Sequence, residues 1–168
     1  NLYDGVPMTQ VYDSAILAAR TLIEKDPAYS QVTARILLHT IRKEILGAEV
    51  TQTEMATKYA EYFPKFIARG IEAELLDEKL ATYDLARLGG ALDASRDFQF
   101  NYLGLQTLYD RYFLHVDEVR IEMPQAFFMR VAMGLALEEK DREARAIEFY
   151  QLLSSFDFMS STPTLFNS

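Results

Sequence analysis

The sequence predicts a mainly α-helical protein in which a single β-strand follows the last helix. Apolar residues recur every three to four positions along most of the 168 residues, and this spacing is typical of amphipathic helices. Residues that stop helices interrupt the pattern at Asp26-Pro27, at Gly47 and at Gly89-Gly90. Residues 162–167 have the apolar pattern of a short strand instead, directly after a turn rich in Ser and Thr.

The first two helices are expected to form a hairpin. Thr9 is the expected N-cap of the first helix, which Asp26-Pro27 ends. The second helix begins at Ser30 and ends at Gly47. Lys43 lies in its last turns, where a cation interacts favourably with the helix dipole.

A capping box begins the third helix. Thr51-Gln52-Thr53-Glu54 has the Thr-x-x-Glu form of that motif, and the helix after it extends to Gly70. One face of this helix carries a stripe of aromatic side chains, which comprises Tyr59, Tyr62, Phe63 and Phe66. At helical spacing such a stripe is more often core than surface, so we expect core, with a docking groove as the alternative.

The rest of the chain alternates between helices and short connections. The predicted segments are a short helix over about 78–88, a surface turn or loop over 93–97, a largely buried helix over 98–115, a short ribbon over 116–123, a core helix from Pro124 to Leu137 and a last helix over about 141–156. Pro124 suits the first turn of its helix because its missing N–H would have no partner there.

Composition excludes several classes of function. The net charge is −8 and the pI is about 4.8, whereas a surface for a nucleic acid polymer needs clustered basic residues. The sequence has no Cys, so it can form neither a disulfide nor a zinc–thiolate site. No apolar stretch approaches the length of a membrane span and no signal-peptide pattern is present, which favours a cytoplasmic protein without a membrane partner.

The residues alone predict no catalytic constellation and no metal site. Four carboxylates, Glu138, Glu139, Asp141 and Glu143, surround the start of the last helix, where the dipole favours acids. His39 and His115 lie in apolar helical surroundings, so packed side chains are expected rather than ligands. The hydroxyl-rich segment 160–164 could bind an anion such as phosphate through its hydroxyls and backbone N–H groups, and an ordinary loop is the alternative.

Four stretches of the sequence carry a family resemblance. They are residues 2–6 (Leu-Tyr-Asp-Gly-Val) with the two helices after them, 96–112 with the run Tyr102-Leu103-Gly104-Leu105-Gln106-Thr107-Leu108, 124–137, and 154–168. In this order they resemble the N-terminal portion of the large (alpha) subunit of ribonucleotide reductase, most closely that of class I. The resemblance extends over essentially the whole length of the chain.

The resemblance implies three parts. Residues 1–47 are similar to the second half of an ATP-cone helical element, 48–158 to the helical N-terminal domain of the large subunit, and 159–168 to the start of the first strand of an α/β barrel whose other strands are absent here. The family removes the ribose 2′-hydroxyl of ribonucleotides through a thiyl radical and a redox pair of barrel cysteines. A chain without Cys is therefore expected to contribute scaffold and part of the substrate site, and to be inactive alone.

Residue roles follow from the same resemblance. Thr164 matches a position that contacts the substrate nucleotide, while Thr9 and Lys43 fall near positions that contact an allosteric effector. The expected ligands and partners are ATP and dNTP effectors, the ribonucleotide substrate, the barrel portion of the large subunit and a separate small subunit that generates the radical. No cofactor is expected in this chain itself.

Two other functions remain open at the level of sequence. The chain could be an acidic helical protein-interaction module that uses the aromatic stripe as its groove. It could also be a nucleotide-sensing regulatory domain that acts through the cone-like part alone. A strand over 162–167 favours the reductase portion, because a strand needs a sheet to pair with.

Overall fold

A computed structural model describes residues 28–155 of the chain. The chain divides into two compact units, each assembled from two separate stretches. The described part of the first unit comprises residues 28–49 and 98–112, and that of the second comprises 50–97 and 113–155. Most described residues are helical, which confirms the mainly α-helical part of the predicted fold class.

Six α-helices and one small hairpin lie within residues 28–155. The helices are α1 (Ala28–Leu46), α2 (Met55–Glu72), α3 (Leu85–Gly90), α4 (Tyr102–Thr107), α5 (Pro124–Ala136) and α6 (Arg142–Ser154), and the strands are β1 (His115–Val116) and β2 (Val119–Arg120). Short 3₁₀ segments occupy Gln52–Glu54, Glu78–Thr82 and Ala94–Gln99, and a π-helical turn occupies Leu108–Tyr112.

In the first unit, α1 packs against α4. Gly47 follows α1 with a φ of +76°, the left-handed conformation in which a glycine commonly ends a helix. The Oδ1 atom of Asn101 accepts a hydrogen bond of 2.7 Å from the N–H of Gly104 and so caps α4. The Arg35 guanidinium lies 3.8 Å from the centre of the Phe98 ring, a cation–π contact between the two stretches of this unit.

In the second unit, α5 packs along α6, and α2 packs against α3. The predicted capping box is present: Glu54 Oε1 accepts hydrogen bonds from the Thr51 hydroxyl at 2.7 Å and from its N–H at 3.3 Å. These bonds lower the pKa of Glu54. α5 is buried along most of its length, as its apolar sequence predicts, and Pro124 occupies its first turn.

The aromatic stripe of α2 belongs to the core of the second unit. The exposed fractions of Tyr59, Phe63 and Phe66 are 1%, 0% and 0%. Tyr62 is half-buried and its hydroxyl donates a 2.7 Å hydrogen bond to the carbonyl of Ile121. The alternative of an open docking groove along this stripe is therefore wrong.

The ribbon predicted over 116–123 is present as a short antiparallel hairpin whose two strands have two residues each, His115–Val116 and Val119–Arg120. His115 pairs with Arg120 and Val116 with Val119. Asp117 and Glu118 form the turn with φ values of 50° and 69°, as a tight hairpin turn requires. His115 is exposed on β1, so the expectation of a helical, packed environment is wrong for this histidine.

Two of the predicted helices are wrong in extent. The segment 78–88 is interrupted because Tyr83 is extended and Asp84 starts a new helix by accepting a hydrogen bond from the N–H of Arg87. The segment 98–115 is divided among the end of a 3₁₀ segment, the short α4, the π-helical turn and the first residue of β1, since Asn101 caps a helix that begins only at Tyr102. Leu103, expected in a largely buried helix, is 66% exposed.

Several predictions fall on residues that the structure does not describe. The helix that begins at Thr9 and the strand over 162–167 lie outside residues 28–155. The domain limits at 47/48 and 158/159 stay predictions. Within the described range, every helix is too short or too polar to cross a lipid bilayer.

The adjacent glycines of α3 provide a matched test of the α2–α3 packing. A Cβ atom on Gly89 would lie 3.1 Å from the carbonyl oxygen of Ala60 and 3.3 Å from the Cβ of Phe63, whereas one on Gly90 would meet nothing within 4 Å. We expect Gly89→Ala to lower the free energy of unfolding by about 1–3 kcal/mol because the two helices must separate.

Gly90→Ala is the control for this prediction. It adds the same methyl group to open space, so we expect no loss and a gain of up to about 1 kcal/mol from the lower backbone entropy of the unfolded chain. Urea denaturation of both variants measures the difference. Equal stabilities of the two variants would contradict the close approach of α2 and α3 at Gly89.

Candidate functional site

Of the three site residues predicted from the sequence, the structure describes Lys43. Thr9 and Thr164 lie outside residues 28–155. Lys43 lies in the last turn of α1, where its Nζ is 3.8 Å from Glu49 Oε1. The same oxygen lies 3.6 Å from Nε2 of His39. Lys43 is therefore part of a small charged group at the end of α1, and its effector-binding role stays a prediction.

The described part of the second unit contains a buried polar group that we call the Asp97 cluster. It consists of Tyr59 on α2, Asp97 in the 3₁₀ segment, Gln125 on α5 and Tyr150 on α6. Their exposed fractions are between 0% and 2%. Each residue comes from a different element, so the cluster joins four parts of the unit.

Asp97 is the acceptor at the centre of the cluster. The Tyr59 hydroxyl donates to both of its carboxylate oxygens, at 2.8 and 3.1 Å. The side-chain amide of Gln125 donates to Asp97 Oδ1 at 2.8 Å. A buried carboxylate is costly without such donors, and hydrogen bonds to a charged acceptor are stronger than neutral ones.

Tyr150 completes the cluster on the other side of Gln125. Its hydroxyl donates a 2.6 Å hydrogen bond to Gln125 Oε1 and accepts a 2.8 Å bond from the N–H of Asp93. Burial, the largest cause, raises the pKa of Tyr150 to about 12. The hydroxyl therefore stays protonated near neutral pH, where it acts as a hydrogen-bond donor and not as an acid or base.

The turn before Asp97 is shaped by local side-chain hydrogen bonds. Asp93 Oδ1 accepts from the N–H of Ser95 at 3.0 Å and from its hydroxyl, a pattern that starts a turn and competes with helix formation. The 3₁₀ segment Ala94–Gln99 follows and places Asp97 in the interior. The prediction of a surface turn over 93–97 is thus wrong for Asp97.

Arg96 points to the C-terminal end of α6. Its Nη1 donates to the carbonyl oxygen of Gln151 at 2.8 Å and to the hydroxyl of Ser154. Its Nε lies 3.5 Å from Asp93 Oδ2, and its guanidinium lies 5.9 Å from the centre of the Tyr150 ring. The side chain is 24% exposed. Arg96 therefore interacts with the last turn of α6 while its charge stays near an acidic partner.

A buried ion pair joins the hairpin region to α5. Arg130 donates to both carboxylate oxygens of Glu122, at 2.6 and 3.1 Å, and Glu122 Oε1 also accepts from the N–H of Leu114 at 3.0 Å. The Glu122 side chain is fully buried. Such a bidentate pair fixes geometry more than it adds stability.

Two of the four carboxylates around the start of α6 make structural hydrogen bonds. Asp141 accepts from the N–H of Ala144 at 3.3 Å and caps the helix. Glu143 accepts from the N–H of Asp84 at 3.0 Å. In residues 28–155 no three or more Asp, Glu or His side chains gather in a way that could hold a metal ion.

Neither the Asp97 cluster nor the contacts of Arg96 were predicted from the sequence. One signal was available, since Gln125 is a polar residue at the start of a largely apolar, mostly buried helix and needs a partner there. Asp97 gave no such signal, because it lies among polar neighbours that are typical of a surface loop. Its burial depends on elements distant in sequence.

Comparison with known proteins gives consistent matches. A family model described as "Ribonucleotide reductase, all-alpha domain" matches residues 98–168. The ribonucleoside-diphosphate reductase subunit alpha of Chlamydia trachomatis serovar D is 46% identical over 168 residues, which are 100% of this chain and 16% of that protein.

More distant relatives match over nearly the same span. The corresponding alpha subunit of Helicobacter pylori is 36% identical over 170 residues, 98% of this chain and 20% of its own length. The large subunit of Danio rerio is 35% identical over 167 residues, 99% of this chain and 20% of its own length. The chain thus spans 16% to 20% of the length of these relatives.

Removal of the Tyr59 hydroxyl tests the cluster. Tyr59→Phe takes one donor from the buried carboxylate of Asp97, and we expect the free energy of unfolding to fall by about 1–3 kcal/mol. Tyr29→Phe is the matched control, because Tyr29 is 37% exposed, and its effect should stay within about 0.5 kcal/mol. Urea denaturation at neutral pH measures both. A loss for Tyr59→Phe no larger than the control's would contradict the cluster's role.

The raised pKa of Tyr150 predicts a dependence of stability on alkaline pH. The pKa is about 12 in the folded chain and 10.0 without the fold, so only the unfolded chain loses this proton between those values. The stabilisation is fully present below pH 10 and is lost as the pH rises towards 12. The loss should be roughly 2–3 kcal/mol for this group.

Tyr150→Phe isolates this contribution. We expect the fall in unfolding free energy between pH 9 and pH 11 to be smaller in Tyr150→Phe than in the parent chain and in Tyr29→Phe. Urea denaturation at the two pH values measures the difference. An identical fall in all three proteins would contradict the effect of burial on Tyr150.

Proposed function

The chain belongs to the ribonucleotide reductase large-subunit family and matches the N-terminal part of those subunits, and from that premise we propose that it serves a ribonucleoside-diphosphate reductase. In this role it contributes scaffold and part of the substrate site to the oxidoreductase that makes deoxyribonucleotides for DNA synthesis. The observation that carries the proposal is the 46% identity to a ribonucleoside-diphosphate reductase alpha subunit over the whole 168 residues.

The described part of the chain supports a scaffold role. The Asp97 cluster and the Glu122–Arg130 pair join helices through buried polar contacts, and such fully bonded networks favour one arrangement of the elements. The burial of the aromatic stripe removes the feature on which the interaction-module alternative depended. Rigid elements of this kind suit a domain that must support a site.

The chemistry of the proposed reaction needs groups outside this sequence. The family resemblance implies a thiyl radical and a pair of redox cysteines, and this sequence has no Cys. The barrel portion of the large subunit is therefore the first proposed partner. A class I assignment adds a small subunit that generates the radical, and the cytoplasm is the proposed compartment.

Substrate and effector contacts complete the proposal. Thr164 is proposed to contact the ribonucleotide, with backbone N–H groups of the hydroxyl-rich segment as further donors. Thr9 and Lys43 are proposed to contact an ATP or dNTP effector. Glu49 Oε1 lies 3.8 Å from Lys43 Nζ. Its carboxylate would compete with an effector phosphate for the Lys43 ammonium group.

A chimeric subunit tests the proposed function. The matched segment of the Chlamydia trachomatis alpha subunit is replaced by this chain, and reduction of ribonucleoside diphosphates is measured with that subunit's own radical-generating partner. We expect activity from the chimera and none from this chain alone. A chimera that folds with the parent's Tm and yet reduces no ribonucleotide would contradict the proposal.

Substitution of Thr164 in the active chimera tests the substrate contact. Thr164→Val removes the hydroxyl and keeps the shape, so we expect kcat/KM to fall about 10- to 100-fold, the effect of one or two lost hydrogen bonds to a charged ligand. Thr162→Val is the control at a neighbouring hydroxyl for which no contact is proposed. Equal effects of the two substitutions would contradict the assignment of Thr164.

A further inference from the structure

The hydrogen bonds of the Asp97 cluster run between two backbone N–H groups. The N–H of Asp93 donates to the Tyr150 hydroxyl at 2.8 Å, and the N–H of Gln125 donates to the Tyr59 hydroxyl at 3.3 Å. A backbone N–H can only donate, whereas hydroxyls and side-chain amides both donate and accept. The two N–H groups therefore restrict the direction of the bonds between them.

From the Asp93 side, the bonds run towards Asp97. Because the Tyr150 hydroxyl accepts from Asp93, its own hydrogen is directed at Gln125 Oε1, which is 2.6 Å away. A side-chain amide with its oxygen towards Tyr150 turns its nitrogen the other way. Gln125 Nε2 accordingly donates to Asp97 Oδ1 at 2.8 Å.

From the Gln125 backbone, the bonds run towards Asp97 as well. Because the Tyr59 hydroxyl accepts from the N–H of Gln125, its hydrogen is directed at Asp97, whose Oδ2 is 2.8 Å and whose Oδ1 is 3.1 Å away. The carboxyl group thus faces one donor on α2 and one on α5. An ionised carboxylate suits this position because it only accepts.

The other groups around Asp97 come from three packed elements and its own segment. α2 contributes the phenol of Tyr59, α5 the neutral amide of Gln125 and α6 the phenol of Tyr150. In the segment of Asp97 itself, Arg96 lies 3.5 Å from Asp93 Oδ2 and its guanidinium lies 5.9 Å from the centre of the Tyr150 ring. Of these groups, Arg96 brings a positive charge near the cluster, which also favours an anion there.

The opposite protonation state has a geometric cost. A protonated Asp97 could donate to Gln125 only if the amide were reversed. The reversed amide would direct its N–H group at the Tyr150 hydroxyl, which already accepts from Asp93, and would remove the acceptor that lies 2.6 Å from this hydroxyl. The hydrogen of Tyr150 would then need a different partner.

We propose that Asp97 is ionised in the folded chain and that it makes the second unit an acid-sensitive junction. A proton on this carboxyl group would point at the hydrogen of Tyr59 or of the Gln125 amide, so one of these side chains would have to turn away. The contact that joins α2 and α5 to the 3₁₀ segment Ala94–Gln99 would then be lost. The second unit opens when Asp97 takes up a proton.

The direction of the pH effect follows from proton binding. In acid, the unfolded chain accepts a proton at Asp97 that the folded unit excludes. The unfolded state therefore binds more protons, and a fall in pH shifts the equilibrium towards it. Tyr150 limits the same cluster at alkaline pH, because its hydroxyl must keep its proton to donate to Gln125. The cluster is intact where Tyr150 holds its proton and Asp97 does not.

Carbon-13 NMR of the 168-residue chain tests the protonation state directly. As the pH falls from 7, we expect the Cγ signal of Asp97 to keep the position of an ionised carboxylate until the amides of α2, α5 and α6 lose their folded positions together. A Cγ signal at the protonated position while these amides stay folded would overturn the inference. A protonated signal at pH 7 would overturn it as well.

Asp97→Asn gives an independent test, because asparagine has the shape of a protonated aspartic acid and carries a donor in place of its O–H. Asp77→Asn is the matched control in the same unit. Asp77 is exposed and accepts from the N–H of Lys79 at 2.9 Å, and asparagine caps such a segment equally well.

We expect the urea midpoint of Asp97→Asn at pH 7 to lie below those of the parent chain and of Asp77→Asn. Between pH 7 and pH 4, the midpoint should fall less in Asp97→Asn than in the other two proteins, because its cluster has no proton left to take up. Midpoints that are equal for the two variants at pH 7 would overturn the inference. If Asp97→Asn does not fold, the Cγ titration of the parent chain decides by itself.

Discussion

The buried carboxylate of Asp97 is the constraint on which the second unit depends. A carboxyl group with an exposed fraction of 2% is tolerated only if hydrogen-bond partners surround it, because burial of an unpaired polar or ionised group costs several kcal/mol. The donors come from α2 and α5, and Gln125 extends the network to α6. These helices therefore cannot shift relative to one another without leaving a buried polar atom unsatisfied, which apolar packing alone would not enforce.

Sequence patterns were sufficient where one element carries its own signal. The apolar period identifies α1, α2, α5 and α6, Gly47 marks the end of α1, and Thr51 with Glu54 marks the start of the 3₁₀ segment that leads into α2. The predictions of secondary structure fail where contacts between residues distant in sequence determine where a helix begins and ends. The segment 98–115 is apolar enough for one long helix, yet the cap at Asn101 and the packing of α4 against α1 divide it. Propensity is a weak prior in such segments because tertiary contacts override it.

The residues of the candidate site were likewise predictable only where the local sequence identifies them, and not where they depend on contacts between distant parts of the chain. Family resemblance assigned roles to Thr9, Lys43 and Thr164, of which only Lys43 lies in the described range, beside Glu49. The cluster and Arg96 were missed because Tyr59, Asp97, Gln125 and Tyr150 are far apart in sequence and each has an ordinary local environment. A polar residue in an apolar helix, such as Gln125, shows that a partner must exist without showing which residue it is.

The described part of the first unit is assembled from two stretches, 28–49 and 98–112, and this arrangement has a consequence for synthesis on the ribosome. α1 emerges long before α4, so the packing of α1 against α4 cannot form while residues 50–97 are translated. Elongation at about 5–20 residues per second delays this packing by several seconds. A pause in translation before residue 98 would lengthen the delay.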